Sequence, residues 1–430
     1  MVAPTHRPPE GYAPRNRDAQ PIGLFHRDFF LLWLGQTGIA LGTQFYAITL
    51  VWLVLEATGS GVTLGAVLTV AAIPRATLMS GVLINRVPAR LVSLAAALVS
   101  TLALVGADGL LLAGSLTLPQ VMLLAAFLGL ADAFLYPSAL ALTAKLVRPG
   151  LLTQANALMQ GADSLANVLG PAAAGLLIGQ IGLAPTLLVN AVLFLVGGGL
   201  IALIGNEPSA VSHTDRTDDV HYGREVLAGW RYVWSRPPIR VSLLFIALLN
   251  FAVLGPVLVG GAVLVESRFG GGAALFGLLS SAFGVGLLTG TVWAGMRGSA
   301  THLGKLLGTL GVMIGVCLGA LGVVPSSLWA VPVLLGMGLA FGVLYINAVS
   351  WLQAQTESGM QGRVASLLSF AAVATDPFSN ALAGAVTDLS LTGLFLGAGA
   401  LVIVVSWFAL RGRSLQPSNA EEEKNVKPTT

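Results

Sequence analysis

Apolar residues in this chain run in long uninterrupted blocks, and polar residues gather in the gaps between them. Twelve blocks reach the roughly 20 mostly apolar residues that cross a bilayer as a helix. They cover residues 29–54, 62–84, 91–113, 118–140, 156–179, 183–205, 240–264, 274–296, 303–324, 327–350, 363–386 and 390–410. Short connections make most successive helices antiparallel neighbours. The exception is the polar, charged stretch 206–239, which divides two six-span halves, 29–205 and 240–411. Within that stretch, Val226, Leu227, Trp230 and Val233 share an apolar face, which predicts an interfacial helix over 222–235. Residues 1–28 are polar and lack the apolar core of a signal peptide. The charged tail 412–430 reads as disordered and solvated.

Composition sharpens this picture. The chain is 55% hydrophobic and only 10% charged, against about 25% charged residues in an ordinary soluble domain. That excludes a soluble enzyme, a secreted domain and a disordered scaffold, because a soluble surface of this size needs far more polar cover. The expected class is an all-α membrane protein embedded in a lipid bilayer. With the N-terminus set in the cytoplasm, every Lys and Arg except Arg75 and Arg268 falls in a cytoplasmic segment or at its edge. Cytoplasmic excess of positive charge fixes orientation, so both termini are expected inside. The basic pI is therefore a topology signal, and nothing supports a nucleic-acid partner. Cys317 stands alone, the five histidines form no ligand cluster, and no phosphate loop is present. No metal, cofactor or ATP-driven chemistry is expected.

An internal repeat runs at a fixed offset of 209 residues. Gly129-Leu130-Ala131 and Leu135-Tyr136 return as Gly338-Leu339-Ala340 and Leu344-Tyr345, and Ala174-Gly175 returns as Ala383-Gly384. Two parallel six-helix halves of this kind are the architecture of a large transporter class that binds substrate between the halves, near the membrane midplane.

The chain resembles the major facilitator superfamily, and within it a bacterial branch holding macrolide-efflux proteins and the enterobactin exporter. The residues that carry this are Phe29-Phe30-Leu31-Leu32-Trp33-Leu34-Gly35-Gln36, Leu41-Gly42-Thr43-Gln44, Thr58-Gly59-Ser60, Pro74-Arg75, Gln154-Ala155-Asn156-Ala157-Leu158 and Gly229-Trp230-Arg231-Tyr232-Val233. The similarity spans about residues 25 to 410. The superfamily's signature loop after the second helix maps onto Gly81, Asn85, Arg86 and Arg90. The resemblance implies a conformational latch there, but Asn85 stands where the family carries an acidic residue. The antiporter signature of the fifth helix survives as Gly170-Pro171 with Gly175, while the fourth helix lacks its usual Arg. Small residues at Gly284, Gly286 and Gly290 are expected to let the eighth helix approach the fifth.

Ionisable residues inside a membrane are costly and are functional candidates by default. Arg75 and Asp132 lie at similar depth in the second and fourth helices and are expected to pair, as a proton-sensitive switch or as a static structural bridge. Asn156, Gln160, Asp163, Asn167 and Gly170 fall at spacings that place them on one helical face. Ser366, Ser369, Asp376, Asn380 and Thr387 form a matching stripe on the eleventh helix. Facing stripes are expected to line a central cavity. Asp163 and Asp376 are thus candidates for proton coupling, against structural hydrogen bonding or, for Asp376, a kink at Pro377. Further cavity candidates are Gln36, Thr43, Gln44, Tyr136, Asn250, Tyr345 and Asn347. Glu56, Asp108, Glu266 and Asp388 lie at outer helix ends and are expected to face water.

These readings converge on a monomeric, alternating-access transporter in a bacterial inner membrane. The expected activity is export of an amphipathic organic small molecule against inward proton flow. Nutrient uptake or facilitated diffusion is the alternative, and a non-transporting sensor a more distant one.

Overall fold

The structure, a computed structural model, describes residues 23–24, 26–78, 87–205, 229–297, 303–357 and 360–411. The first half contains α1 (Arg27–Thr58), α2 (Gly61–Leu78), α3 (Ala89–Leu112), α4 (Leu118–Leu146), α5 (Leu152–Ile181) and α6 (Leu183–Ala202). The second contains α7 (Pro237–Ser267), α8 (Ala273–Arg297), α9 (Leu303–Leu321), α10 (Ser327–Gln355), α11a (Gln361–Val373), α11b (Asp376–Thr387) and α12 (Leu391–Arg411). Among the described residues, ten helices are long and apolar enough to cross a membrane. The two remaining predicted spans are also helical. α2 is short because residues 79–86 lie outside the described residues, and the eleventh helix is broken in two.

The break follows from Pro377. It has no N–H to bond a carbonyl one turn earlier, and it sits in the first turn of α11b, where that loss is harmless. A second irregularity follows Gly255 in α7, where Pro256 opens a π-helical turn, Pro256–Gly260. Ser379 of α11b supports that turn, accepting from Gly255 N at 2.8 Å and donating to Phe251 O at 2.6 Å.

The same helix pairings recur in both halves: α2 on α4 and α8 on α10, α3 on α6 and α9 on α12. Glycine makes the tightest of these possible. A Cβ at Gly129 would lie 2.0 Å from Ala71 O, and one at Gly338, its partner in the repeat, 2.2 Å from Phe283 O. Close backbone approach through small residues drives helix packing in lipid, where burying apolar side chains gains little.

The side holding Arg27, Arg90, Arg297 and Arg411 is called here the near side, and the opposite one the far side. On the near side, Arg90 donates to Ala202 O and Gly205 O, closing the end of α6. A short helix over 229–235 is tied to the end of α10, with Arg236 paired to Glu357 and Glu357 N donating to Tyr232 Oη at 3.2 Å. The rest of the expected interfacial helix, with Val226 and Leu227, lies outside the described residues.

Candidate functional site

The halves meet along two helix pairs, and both contacts lie toward the far side. In the first, Gly175 and Gly277 bring α5 and α8 into backbone contact; a Cβ at Gly277 would lie 2.2 Å from Pro171 O. Pro171 leaves a gap in the helical bonding here, and Ala172 N donates across to Ser281 Oγ at 2.9 Å. Gly284 also faces α5. Gly286 and Gly290 do not: both pack on α10, against Leu335 and Leu339, which corrects the expectation that they serve the α5 contact.

In the second pair, α11b lies along α2. Gly65 meets Gly384 backbone to backbone, and Thr69 Oγ1 donates to Pro377 O at 3.1 Å. At the far end, Asp388 is exposed, as expected, and also bonds across this seam. Its Oδ1 accepts from Gly61 N at 3.0 Å and its Oδ2 from Ser60 Oγ at 3.2 Å. A carboxylate of the second half thus caps the N-terminus of a helix in the first, where the helix dipole favours negative charge. Asp108, by contrast, is not a water-facing residue: it is buried, and its Oδ1 has no hydrogen-bond partner.

Toward the near side the halves part. Tyr136 of α4 and Tyr345 of α10 are exposed, and nothing approaches within 4 Å of the Cβ position of Gly161 on α5. Tyr136 lies within electrostatic range of Asp163 and of Tyr345, its partner in the repeat. One turn deeper, Asn167 donates to Asp163 O at 2.9 Å and accepts from Gln44 Nε2 at 2.6 Å. Beyond them lies a cavity of about 260 Å³. Gln44, Asn167 and Pro171 bound it from the first half; the second half supplies an apolar wall that includes Phe276, Phe283 and, from the π-helical turn, Val257 and Leu258. The open space therefore ends blind, with one carboxylate, two phenols and two amides at its mouth and an apolar pocket at its end.

A second polar centre sits beside α2. Arg75 Nε lies 3.2 Å from Asp132 Oδ2, joining α2 to α4. Asp376 and Tyr46 stand within electrostatic range of that guanidinium. Tyr46 was invisible to the sequence argument, since an aromatic on an apolar helix is ordinarily packing.

The remaining candidates are distributed as follows. Gln36 is buried in α1, and Thr43 is half-buried beside Gly42, which packs on the Phe194 ring. Gln160 is exposed on α5. Asn250 and Asn347 donate to carbonyls one turn back in their own helices, Ile246 O and Val343 O, and neither borders the cavity. The α5 stripe reaches the open space only in part: Gly170 packs on Gln44, where a Cβ would lie 2.5 Å from that side chain. The eleventh-helix stripe does not line the cavity. Asp376, Asn380 and Thr387 are buried on the part of the eleventh helix that packs on α2. Gly81, Asn85 and Arg86 lie outside the described residues.

A family model described as the Major Facilitator Superfamily matches residues 32–375. The multidrug efflux pump Tap of Mycolicibacterium fortuitum is 26% identical over 380 residues, 85% of this chain and 91% of that protein. An uncharacterized MFS-type transporter, y4rN, of Sinorhizobium fredii is 27% identical over 296 residues, 65% of this chain and 68% of its own length. A solved structure of the nucleoside transporter NupG superimposes with a TM-score of 0.72 at 11% identity, covering 90% of this chain and 99% of that one; at that identity the likeness speaks to the fold alone. The helical pairings repeated in two halves, the site between them and the family match over most of the sequence place the chain in the Major Facilitator Superfamily, a family of multi-pass membrane transporters.

Proposed function

We propose that this transporter exports an amphipathic organic compound in exchange for inward-moving protons, from the inner membrane of a bacterium and with both termini in the cytoplasm. The observation that carries this reading is the blind central space: open on the near side, apolar at its end, and carrying Asp163 with Tyr136 and Tyr345 at its mouth. An apolar pocket with few polar groups suits a ligand with a greasy body and a polar or cationic end. The positive-charge census supports a cytoplasmic near side; on that reading the state seen is inward-open and takes its cargo from the cell. Similarity to a multidrug efflux pump points the same way. A proton entering through 100 mV supplies about 2.3 kcal/mol, enough for roughly fiftyfold concentration of cargo.

The test is proton movement in everted membrane vesicles holding a pH gradient. Cationic dyes, macrolides and catecholate siderophores are added in turn while lumenal acidity is followed. One compound class should release protons from wild-type vesicles, and Asp163→Asn should weaken the response. Compound flux without any proton movement would replace the antiporter reading with facilitated diffusion.

A further inference from the structure

Two oxygen atoms on α11b are buried without a donor. Asp376 and Asn380 are 6% and 3% exposed, and neither Asp376 Oδ1 nor Asn380 Oδ1 has a hydrogen-bond partner. The residues are one turn apart on the same helix, the spacing at which side chains touch. The hydroxyls of Thr69, Thr375 and Ser379 are committed to backbone carbonyls: Thr69 to Gly65 O and Pro377 O, Thr375 to Ala247 O, Ser379 to Phe251 O. The Asn380 amide nitrogen points to Leu68 O at 3.5 Å. Turning that amide over would offer its nitrogen to Asp376 but set its oxygen against Leu68 O, acceptor on acceptor. Buried acceptors of this kind are rare in folded proteins and call for an explanation.

We propose that Asp376 and Asn380 form the proton-binding site of the transport cycle. With the far side closed, Asp376 carries the proton on Oδ1 and donates it to Asn380 Oδ1, so that one proton satisfies both atoms. This rests on the proton-coupled reading above and divides its labour: Asp163 meets the cargo, Asp376 the proton.

The charged surroundings fit. From α2, Arg75 lies within electrostatic range of Asp376, and around that guanidinium stand its partner Asp132 of α4 and the phenol of Tyr46 of α1. From α7, whose ionisable residues Arg240 and Glu266 lie near its two ends, only backbone carbonyls and apolar groups reach it. Arg75 is already matched by Asp132, so an ionised Asp376 would leave one surplus negative charge in the seam. A buried charge without its own partner is strongly unfavourable. Loss of the proton to the near side therefore drives the α2–α11b seam apart, opening the far side. Uptake of a proton from the far side lets the seam close again. The O–H bond of Asp376 forms from far-side water and is given up to near-side water, with no other group consumed.

The experiment measures far-side opening directly. Spin labels at Ser115→Cys and Ser326→Cys, on far-side loops of the two halves, are placed in a Cys317→Ser background, and their separation is read in lipid nanodiscs across a pH series. In the parent protein the ratio of open to closed far sides should rise with pH, by up to about tenfold per pH unit, the limit for one proton. Asp376→Asn, whose amide can donate to Asn380 Oδ1 without titrating, should remain closed at every pH. Asn380→Leu should move the midpoint of the transition to lower pH by removing the acceptor that holds the proton. A pH response that survives Asp376→Asn, or that vanishes only in Asp163→Asn, overturns the proposal. So does a response to sodium at constant pH. The vesicle assay is separate: its failure in the parent protein would remove the exporter reading and leave the pH-dependent distances standing.

Discussion

Replacing Asp388 with alanine takes away a carboxylate that reaches from the second half to the end of a helix in the first. Its two bonds, 3.0 Å to Gly61 N and 3.2 Å to Ser60 Oγ, exist only while the far side is closed. When the halves part there, both groups return to water. Losing an N-terminal cap costs about 0.5–2 kcal/mol, and a charge at an exposed helix start is worth about 0.3–1 kcal/mol, part of the same interaction. The closed far side should therefore lose about 1–2 kcal/mol relative to the open one, a shift of about five- to thirtyfold in their ratio. The Ser115–Ser326 spin-label distance, read at one fixed pH, should shift toward its longer population. Asp388→Asn keeps an acceptor and should fall between the parent and Asp388→Ala. The seam also explains why Gly61 has no side chain: a Cβ there would sit 2.8 Å from Asp388 Oδ1. An unchanged distance distribution in a folded Asp388→Ala protein would refute the inter-half latch.

Glycines of similar tightness should separate into two classes by where they pack. Gly65→Val puts its Cβ 2.6 Å from Asn380 O across the seam, so it should hold the far side open while the melting temperature stays near that of the parent. Gly129→Val meets Ala71 O inside one half and should instead lower thermal stability, with overpacking costing about 1–3 kcal/mol. For the Arg75–Asp132 pair, a double-mutant cycle measured by thermal unfolding should show that Arg75→Ala and Asp132→Ala are each more damaging than half the double variant. Because the Arg75 side chain keeps 44% of its surface exposed, each single loss should fall below the about 3–5 kcal/mol of a fully buried pair; strict additivity would rule out the coupling.

How far the sequence foretold this arrangement depended on range. Properties carried within one helix were legible: apolar length gave the spans, i to i+4 spacing grouped Asp163 with Asn167, and matched depth put Arg75 opposite Asp132. The repeat even foretold that Gly129 and Gly338 would make equivalent close contacts. What was illegible depended on a partner more than three hundred residues away or on a fault in the helical ladder. Asp388 looked like any acid at a helix end, because nothing local says that the start of α2 lies beside it. Asp376 and Asn380 were extrapolated onto a cavity-facing stripe through seven residues of assumed regular helix. Both residues lie buried against α2 instead, a partner that nothing near them in the sequence announces. Pro377 was the available signal of the break itself, and it was read as a kink rather than as a restart.

The chemistry of the two seams bears on why a single proton can move the machine. Contacts between glycine backbones pack well but bury little that water or lipid would penalise, since apolar side chains lose no solvent of a different kind when they leave lipid for protein. Among the described residues the directional bonds across the halves are few: Ala172 to Ser281 on one side, and Gly61 and Ser60 to Asp388, Thr69 to Pro377 and Asn380 to Leu68 on the other. At about 0.5–1.5 kcal/mol net for each, they add up to a few kcal/mol. The drop of one proton through 100 mV is about 2.3 kcal/mol, the same order. A seam built from large interlocking side chains and buried salt bridges would hold more tightly and would need several protons to open. The restraint in these contacts, glycine where bulk would lock and single bonds where networks would hold, keeps both states of the far side within reach of the gradient that drives it.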